Sequence, residues 1–293
     1  MDLTEFAAEV GGPDAGSVTI AGSGSRGGSV NGVRAVSAPA GIGWIQADEM
    51  IVSCGAATLV ADLDAALAEH GQRVALPPSG TVGGALAVGH SDIRRLGYGH
   101  VRDVLLEAHY VSAAGEIVKA GGPTVKNVSG FDLCRLLVGS FGTLGFLGSV
   151  ILRTRPLPAA SQWFESSGDP WTILADLYRP VSVLWDGETT RVLLEGHPDD
   201  LVEQSRIADL DLSDGPPELP TKARWSMTPS DLRSLTGSAG FVAEIGVGVV
   251  HHTQPAPRRS VSSANTAVHQ RLKHEFDPTG RLNPGVDVLT AAG

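Results

Sequence analysis

The stretch from Leu76 to Leu152 constrains this chain more than any other. It contains PPSGTVGGALA (Pro77 to Ala87), YGHVRD (Tyr98 to Asp103) and KNVSGFDLCRLLVGSFGTLGFLG (Lys126 to Gly148). Glycine is dense in it, at places where glycine weakens a helix or strand. A run of this kind serves close approach of the backbone to another group.

A second glycine cluster lies upstream. The strand-like Val18-Thr19-Ile20 leads into Gly22-Ser23-Gly24-Ser25-Arg26-Gly27-Gly28. Gly22, Gly24 and Gly27 spell G-x-G-x-x-G, but that fingerprint needs a helix directly after it. Gly28, Ser29, Val30, Asn31 and Gly32 are poor helix formers, so a Rossmann fold is excluded. Successive N–H groups of a glycine-rich turn can still form an anion-binding nest without a helix. A plain surface turn is the competing reading, because glycine clusters commonly mark turns.

Periodicity places the remaining elements. Leu3 to Val10 suits a short helix and Glu49 to Ser53 a strand. Thr58 to His70 is amphipathic: Leu59, Leu63 and Leu67 recur at helical spacing and are expected in the core, with Thr58 as N-cap and Gly71 as stop. Thr81 to Val88 is expected to open a short helix whose Gly83-Gly84 lets a ligand approach. Val104 to Val111 and Glu116 to Lys119 read as a hairpin, Asp132 to Val138 as a helix, and Gly145 to Arg155 as a strand.

After Pro158 glycine thins out. Helices are expected at Trp171 to Tyr178 and Asp199 to Ala208, with strands at Val181 to Trp185, Arg191 to Glu195, Ala223 to Met227 and Phe241 to His252. Two helices with about four strands make a small open α/β layer. Thr253 to Arg259 is a linker and Asn265 to Phe276 a last helix.

With 293 residues the chain can bury a full core in one or two domains. A net charge of −10 argues against non-specific nucleic-acid binding. No apolar run reaches membrane-span length, and the acidic start MDLTEFAAEV lacks a signal peptide's basic residues. Cys54 and Cys134 match neither a disulfide framework nor a metal spacing, so a reducing cytoplasm is the expected compartment.

Several motifs in fixed order resemble one family. They are Ser79-Gly80-Thr81-Val82-Gly83-Gly84-Ala85, Tyr98-Gly99 with Arg102-Asp103, Lys126-Asn127-Val128 with Gly130-Phe131-Asp132-Leu133, and Gly139 through Gly145. Phe276-Asp277-Pro278 with Gly280-Arg281-Leu282-Asn283-Pro284-Gly285 completes the set. Together they resemble FAD-linked oxidases of the vanillyl-alcohol oxidase (PCMH-type) superfamily, most of all the E-type FAD-binding subunit of bacterial glycolate oxidase.

The resemblance implies an α+β fold: a two-subdomain PCMH-type FAD-binding domain over 1–158, a small ferredoxin-like α/β cap over 159–255, and a C-terminal segment, 256–293, returning to the FAD domain. It implies that Gly22, Ser23, Gly24, Ser25, Arg26, Gly27 and Gly28 hold the FAD diphosphate, with an ordinary surface ion pair as the alternative for Arg26. Pro78, Thr81, Gly83 and Gly84 would line the middle of the cofactor. Gly142, Thr143, Gly145 and Leu147 would run beside its adenine half, and Asn283 would sit near the flavin edge. Structural capping is the alternative for Thr81 and Asn283.

Departures from the family refine the expectation. Covalent members carry a His in the first glycine loop; Ser25 stands near that slot, which implies non-covalent FAD. The metal-binding H-x-G-D-G-N-x-H run of self-sufficient 2-hydroxy-acid oxidisers is absent, so no metal is expected. Its counterpart is GVGVVHHT, Gly246 to Thr253. His251 and His252 are adjacent, so on a strand they point to opposite faces and cannot share a metal. One of them is a candidate base; an exposed strand-end histidine is the bland reading.

His90, Asp92 and Arg94 are candidate contacts or a solvated loop, and Cys134 reads as a buried thiol. The activity implied is oxidation of a 2-hydroxy acid such as glycolate or D-lactate, with electrons passed to a partner or quinone. A larger FAD subunit and an iron–sulfur subunit are the implied partners, at the inner face of the membrane. A non-catalytic FAD-bearing subunit and an NADPH-dependent flavin reductase are the alternatives.

Overall fold

The computed structural model describes residues 2–27, 29–123, 132–257 and 261–291. Gly28 and the Lys126 to Phe131 part of the third motif lie outside the described residues. The chain divides into two compact units: Met1–Ser91, His100–Leu157 and Val261–Ala292 form the first, and Asp92–Gly99 with Pro158–Ser260 the second. The architecture is α+β.

In the first unit, β1 (Val18–Ala21) and β2 (Arg34–Ser37) pair in parallel. A separate antiparallel sheet is built from β3 (Ile42–Gln46), β4 (Ile51–Gly55), β5 (Gln72–Val74), β6 (Leu105–Val111), β7 (Ile117–Gly121) and β8 (Phe146–Pro156). Its order is β3-β4-β8-β6-β7, with β5 pairing the far end of β8. The inward residues of β4, β6 and β8 alternate with outward ones, as a half-covered sheet requires. Val52, Cys54, Ala108, Tyr110, Val150 and Leu152 thus meet Val60, Leu63 and Leu67 of the helix Val60–Ala68 and Val82, Ala85 and Leu86 of the helix Val82–Val88. Full burial of each such aliphatic side chain contributes about 1.5–3 kcal/mol.

The expected helix at Thr58 to His70 starts later than its periodicity suggests. Leu59 is the N-cap and is 43% exposed, so it is not core. Thr58 is no cap: its hydroxyl bonds the backbone of Gly41 on both sides.

The C-terminal segment is clasped into this unit by the DPTGRLNPG run. Asp277 is buried and accepts from Lys273 Nζ (2.6 Å), the Leu282 amide (2.8 Å) and the Arg281 amide (3.1 Å). Burial alone would raise its pKa, but these donors together hold it below the ordinary carboxylate value. Arg281, also buried, donates to four carbonyls: Val10 (2.6 Å), Gly11 (2.9 Å), Gly16 (2.9 Å) and Ala113 (3.2 Å). Leu282 then bridges Val18, which extends β1 by one more chain.

The second unit is a seven-stranded antiparallel sheet of β9 (Ala160–Ser166), β10 (Ser182–Trp185), β11 (Thr190–Gly196), β12 (Asp211–Leu212), β13 (Ala223–Ser226), β14 (Phe241–Glu244) and β15 (Val249–His252). The order is β12-β9-β11-β10-β14-β15-β13. One face carries Phe164, Val183, Trp185, Val192, Leu194, Phe241, Ala243 and Val250, covered by Ile173 and Leu201 from two helices and by Leu232 and Leu235. The sheet is larger than the four strands expected. Phe241 to His252 is a hairpin, not one strand, because Gly246 (φ +81°) and Gly248 (φ +87°) turn the chain.

Candidate cofactor-binding site

The first glycine loop starts where β1 ends. Gly24 (φ +74°) and Gly27 (φ +102°) adopt backbone conformations that side chains disfavour. Ser23 and Ser25 hydroxyls lie 3.1 Å apart, and Ser25 bridges Gly27. Arg26 folds back toward the second glycine stretch, its Nη2 donating to Ser79 Oγ at 3.4 Å and to the Pro77 carbonyl at 3.5 Å. Gly80 lets the two loops meet, since a Cβ there would overlap Ser25 Oγ and Arg26 Nη1.

Arg26 Nη1 is buried and has no hydrogen-bond partner among the described residues. Burial pushes the guanidinium below its ordinary pKa. An unpaired buried donor costs about 1–3 kcal/mol. An anion against this loop would relieve that cost with a charge-assisted hydrogen bond.

A second wall is the helix Val82–Val88. Thr81 caps it, its hydroxyl accepting from the Gly84 amide at 3.1 Å. Gly83 lines the cleft and is also bare for a packing reason. Its amide donates to the Ala56 carbonyl at 2.7 Å, and a Cβ would come within 2.9 Å of that carbonyl. Close packing of helix on β4's exit demands glycine there.

The third wall is the turn after Leu137. Phe141 (φ +52°) and Gly142 (φ +69°) are both left-handed. The Phe141 amide donates to the Ala87 carbonyl at 2.8 Å, fixing this wall to the helix. Asn283 closes the end: its Nδ2 donates to the Phe141 carbonyl (2.6 Å) and its Oδ1 accepts from the Ile20 amide (3.2 Å).

These walls enclose a cleft with about 890 Å³ of space, part of it open to solvent. Gly22, Ser23, Gly24, Ser25, Arg26, Gly27, Thr81, Gly83, Gly84, Gly142, Gly145, Leu147 and Asn283 all line it. Pro78 is exposed and Thr143 is buried with its hydroxyl on the Ser140 carbonyl (2.7 Å); neither lines the cleft. His90 does not line it, and Asp92 accepts from the Arg94 amide at 2.9 Å within the second unit.

Sequence reasoning missed Ala38, Ala56, Ala57, Ala87 and Val88, which give the cleft its small apolar lining, and Phe141. No periodicity flags a small residue beside a ligand. Phe141 sits between two glycines in GSFGTLG, which was the available signal.

The two candidate histidines belong to the second unit. His251 Nε2 lies 2.9 Å from Glu244 Oε1. His252 is stacked on Trp225, ring centroids 4.0 Å apart, and its Nδ1 accepts from the Gln254 amide at 2.9 Å. Burial lowers its pKa. Among the described residues no group of three His, Cys, Asp or Glu is placed to hold a metal, and no helix is long and apolar enough to cross a membrane.

Comparison with known proteins agrees with a dinucleotide cleft. Residues 15–121 match the family described as FAD binding domain. The chain is 36% identical over 118 residues to the glycolate oxidase subunit GlcE of Escherichia coli, and 38% identical over 117 residues to a D-lactate dehydrogenase of Archaeoglobus fulgidus. Those matches span 39% and 38% of this chain but only 34% and 26% of the relatives' own lengths. Among solved structures, an alkyldihydroxyacetonephosphate synthase shares the fold, with a TM-score of 0.70 and 14% identity over 97% of this chain and 74% of that one. A grass pollen allergen with glucose dehydrogenase activity, Phl p 4, overlaps 67% of this chain and 45% of its own, with a TM-score of 0.52 and 14% identity. A glycine loop, a half-buried arginine with one unpartnered nitrogen and a small-residue cleft suit the diphosphate and rings of that cofactor. Residues 15–121 of the chain therefore match an FAD binding domain.

Proposed function

We propose that this chain is an FAD-dependent oxidoreductase subunit of the glycolate oxidase type. Its substrate is a 2-hydroxy acid such as glycolate or D-lactate, its product the 2-keto acid. The observation that carries the reading is the cleft itself, with the Gly22 to Gly27 loop and the unpaired Arg26 Nη1 at one wall. The names of the relatives, a glycolate oxidase subunit and a D-lactate dehydrogenase, supply the substrate class.

In this reading the Gly22 to Gly27 amides and Arg26 hold the diphosphate. Thr81, Gly83 and Gly84 flank the middle of FAD, and Gly142, Gly145 and Leu147 its adenine half. Bound FAD supplies a two-electron acceptor; the protein binds, orients and excludes water. Asn283 shapes the cleft, since both ends of its amide are held by backbone. His251, held by Glu244, is the candidate base. A larger FAD subunit and an iron–sulfur subunit would take the electrons onward, on the cytoplasmic side of a membrane.

A second reading is an FAD-bearing subunit without its own turnover. The family match stops at residue 121, ahead of every strand of the second unit, which favours it. The purified chain, loaded with FAD and assayed with glycolate, D-lactate and a dye acceptor, separates the two. Turnover without partners supports the first reading; FAD retention with no turnover until partners are added supports the second. A chain that retains no FAD contradicts both.

A further inference from the structure

Phe141 stands on the cleft wall in a backbone conformation that few phenylalanines adopt. Its φ is +52°, in the left-handed region that glycine favours. Positive φ outside glycine also occurs at Met50, Arg179, Asp209 and Asn283, and Phe141 is the one aromatic residue of that set among the described residues. Gly139 (φ +80°) and Gly142 (φ +69°) lie close on either side, so the same turn uses glycine before and after it.

Hydrogen bonds at both ends hold Phe141 in this conformation. Its amide donates to the Ala87 carbonyl (2.8 Å), and its carbonyl accepts from Asn283 Nδ2 (2.6 Å). Bulky residues persist in disfavoured backbone regions where their surroundings over-determine them, and such places cluster at ligand contacts.

Core packing does not account for the phenyl ring. Phe6, Phe146 and Phe276 belong to the hydrophobic core of the first unit, Phe164 and Phe241 to that of the second. Phe141 is the one described phenylalanine that joins neither. It is half-buried and pairs with no other aromatic ring among the described residues. A glycine at this position would relieve the backbone, and neither core would lose a member. The chain instead keeps a flat apolar side chain on a cleft otherwise lined by small residues such as Ala38, Ala56, Ala57 and Ala87. Aromatic faces of this kind stack on the flat rings of nucleobases.

We propose that Phe141 is the platform on which the adenine ring of FAD stacks, and that it thereby contributes to the choice of FAD over FMN. The adenine rests on the function proposed above, which runs that half of the cofactor past Gly142, Gly145 and Leu147; the ligand-facing role of the ring does not.

The test is calorimetric titration of the cofactor-stripped chain with FAD and FMN, with excess ADP as a competitor that carries adenine and diphosphate without the flavin. Wild type, Phe141→Gly, Phe141→Leu and Phe141→Tyr are compared, and the melting temperature of each stripped chain is recorded. Phe141→Gly should weaken FAD and ADP binding about 5–150-fold, the range for one base stacked on an aromatic side chain. It should leave FMN binding unchanged and melt no lower than wild type. Phe141→Leu keeps apolar bulk without the flat face and should also weaken FAD, whereas Phe141→Tyr should retain it. Wild-type FAD affinity in Phe141→Gly overturns the proposal. So does a loss shared by FAD and FMN with ADP untouched, which would put the flavin on the ring. A Phe141→Gly chain that melts lower or fails to fold assigns the ring to packing and overturns it as well. Wild type that takes up no FAD contradicts the cofactor reading itself; FAD uptake indifferent to Phe141 contradicts this platform alone.

Discussion

The Asn283 side chain ties the Phe141 carbonyl, at 2.6 Å, to the Ile20 amide, at 3.2 Å, and so joins two walls of the cleft across 142 and 263 residues of sequence. Asn283 itself is left-handed (φ +43°), a conformation asparagine tolerates better than most residues. Asn283→Ala removes both bonds and strands a carbonyl and an amide. It should cost about 2–4 kcal/mol. A lowered melting temperature together with weakened FAD retention is the expected outcome; an unchanged melt would show that the amide does not brace the walls.

Arg281 should matter for the same unit without touching the cleft. Arg281→Met leaves the carbonyls of Val10, Gly11, Gly16 and Ala113 without their donor. A loss of about 3–5 kcal/mol is expected, as for a buried charge network broken on one side. Limited proteolysis should then release the C-terminal segment early.

Asp277 gives that clasp a pH dependence. Its folded pKa lies below its unfolded value of roughly 4. The group therefore adds stability that is present above the unfolded value and lost as pH falls through the folded one. Wild-type melting temperature should drop in acid below about pH 4. Asp277→Asn should lower stability at neutral pH and flatten that acid limb; an identical limb in the variant would contradict the assignment.

Gly83 and Gly27 should fail in different ways. Gly83→Ala drives a Cβ against Ala56 and should destabilise by about 1–3 kcal/mol. A Cβ at Gly27 meets nothing within 4 Å, yet its φ of +102° resists a side chain. Gly27→Ala should lose FAD affinity and lower the melting temperature only by the strain of that φ, less than Gly83→Ala does. If Gly27→Ala melted lower than Gly83→Ala, the division between packing and binding glycines would be wrong.

Much of this was readable in the sequence. The Thr81 cap and helix, the strands at β6 and β8 and the clasped C-terminal motif follow from turn chemistry, periodicity and resemblance. Leu59 was misread because it keeps helical spacing while standing before the helix's first turn. The Phe241 to His252 hairpin hid behind an unbroken apolar run, GVGVV, whose glycines turn the chain. Gly83 and Gly145 looked like ligand contacts, but Ala56 and Tyr110 also fill the space beside them. Sequence gives the place of a glycine, not which neighbour requires it.

The central claim is that the Gly22 to Gly27 amides, with Arg26, grip FAD. The most direct test is a titration of the cofactor-stripped chain with FAD, followed by flavin fluorescence, for wild type, Arg26→Ala and Gly27→Val. Wild type should bind and turn yellow. Arg26→Ala should weaken binding about 10–100-fold, the loss of one charge-assisted hydrogen bond, and Gly27→Val should weaken it further. Wild-type affinity in both variants, or a chain that takes up no FAD, would contradict the account.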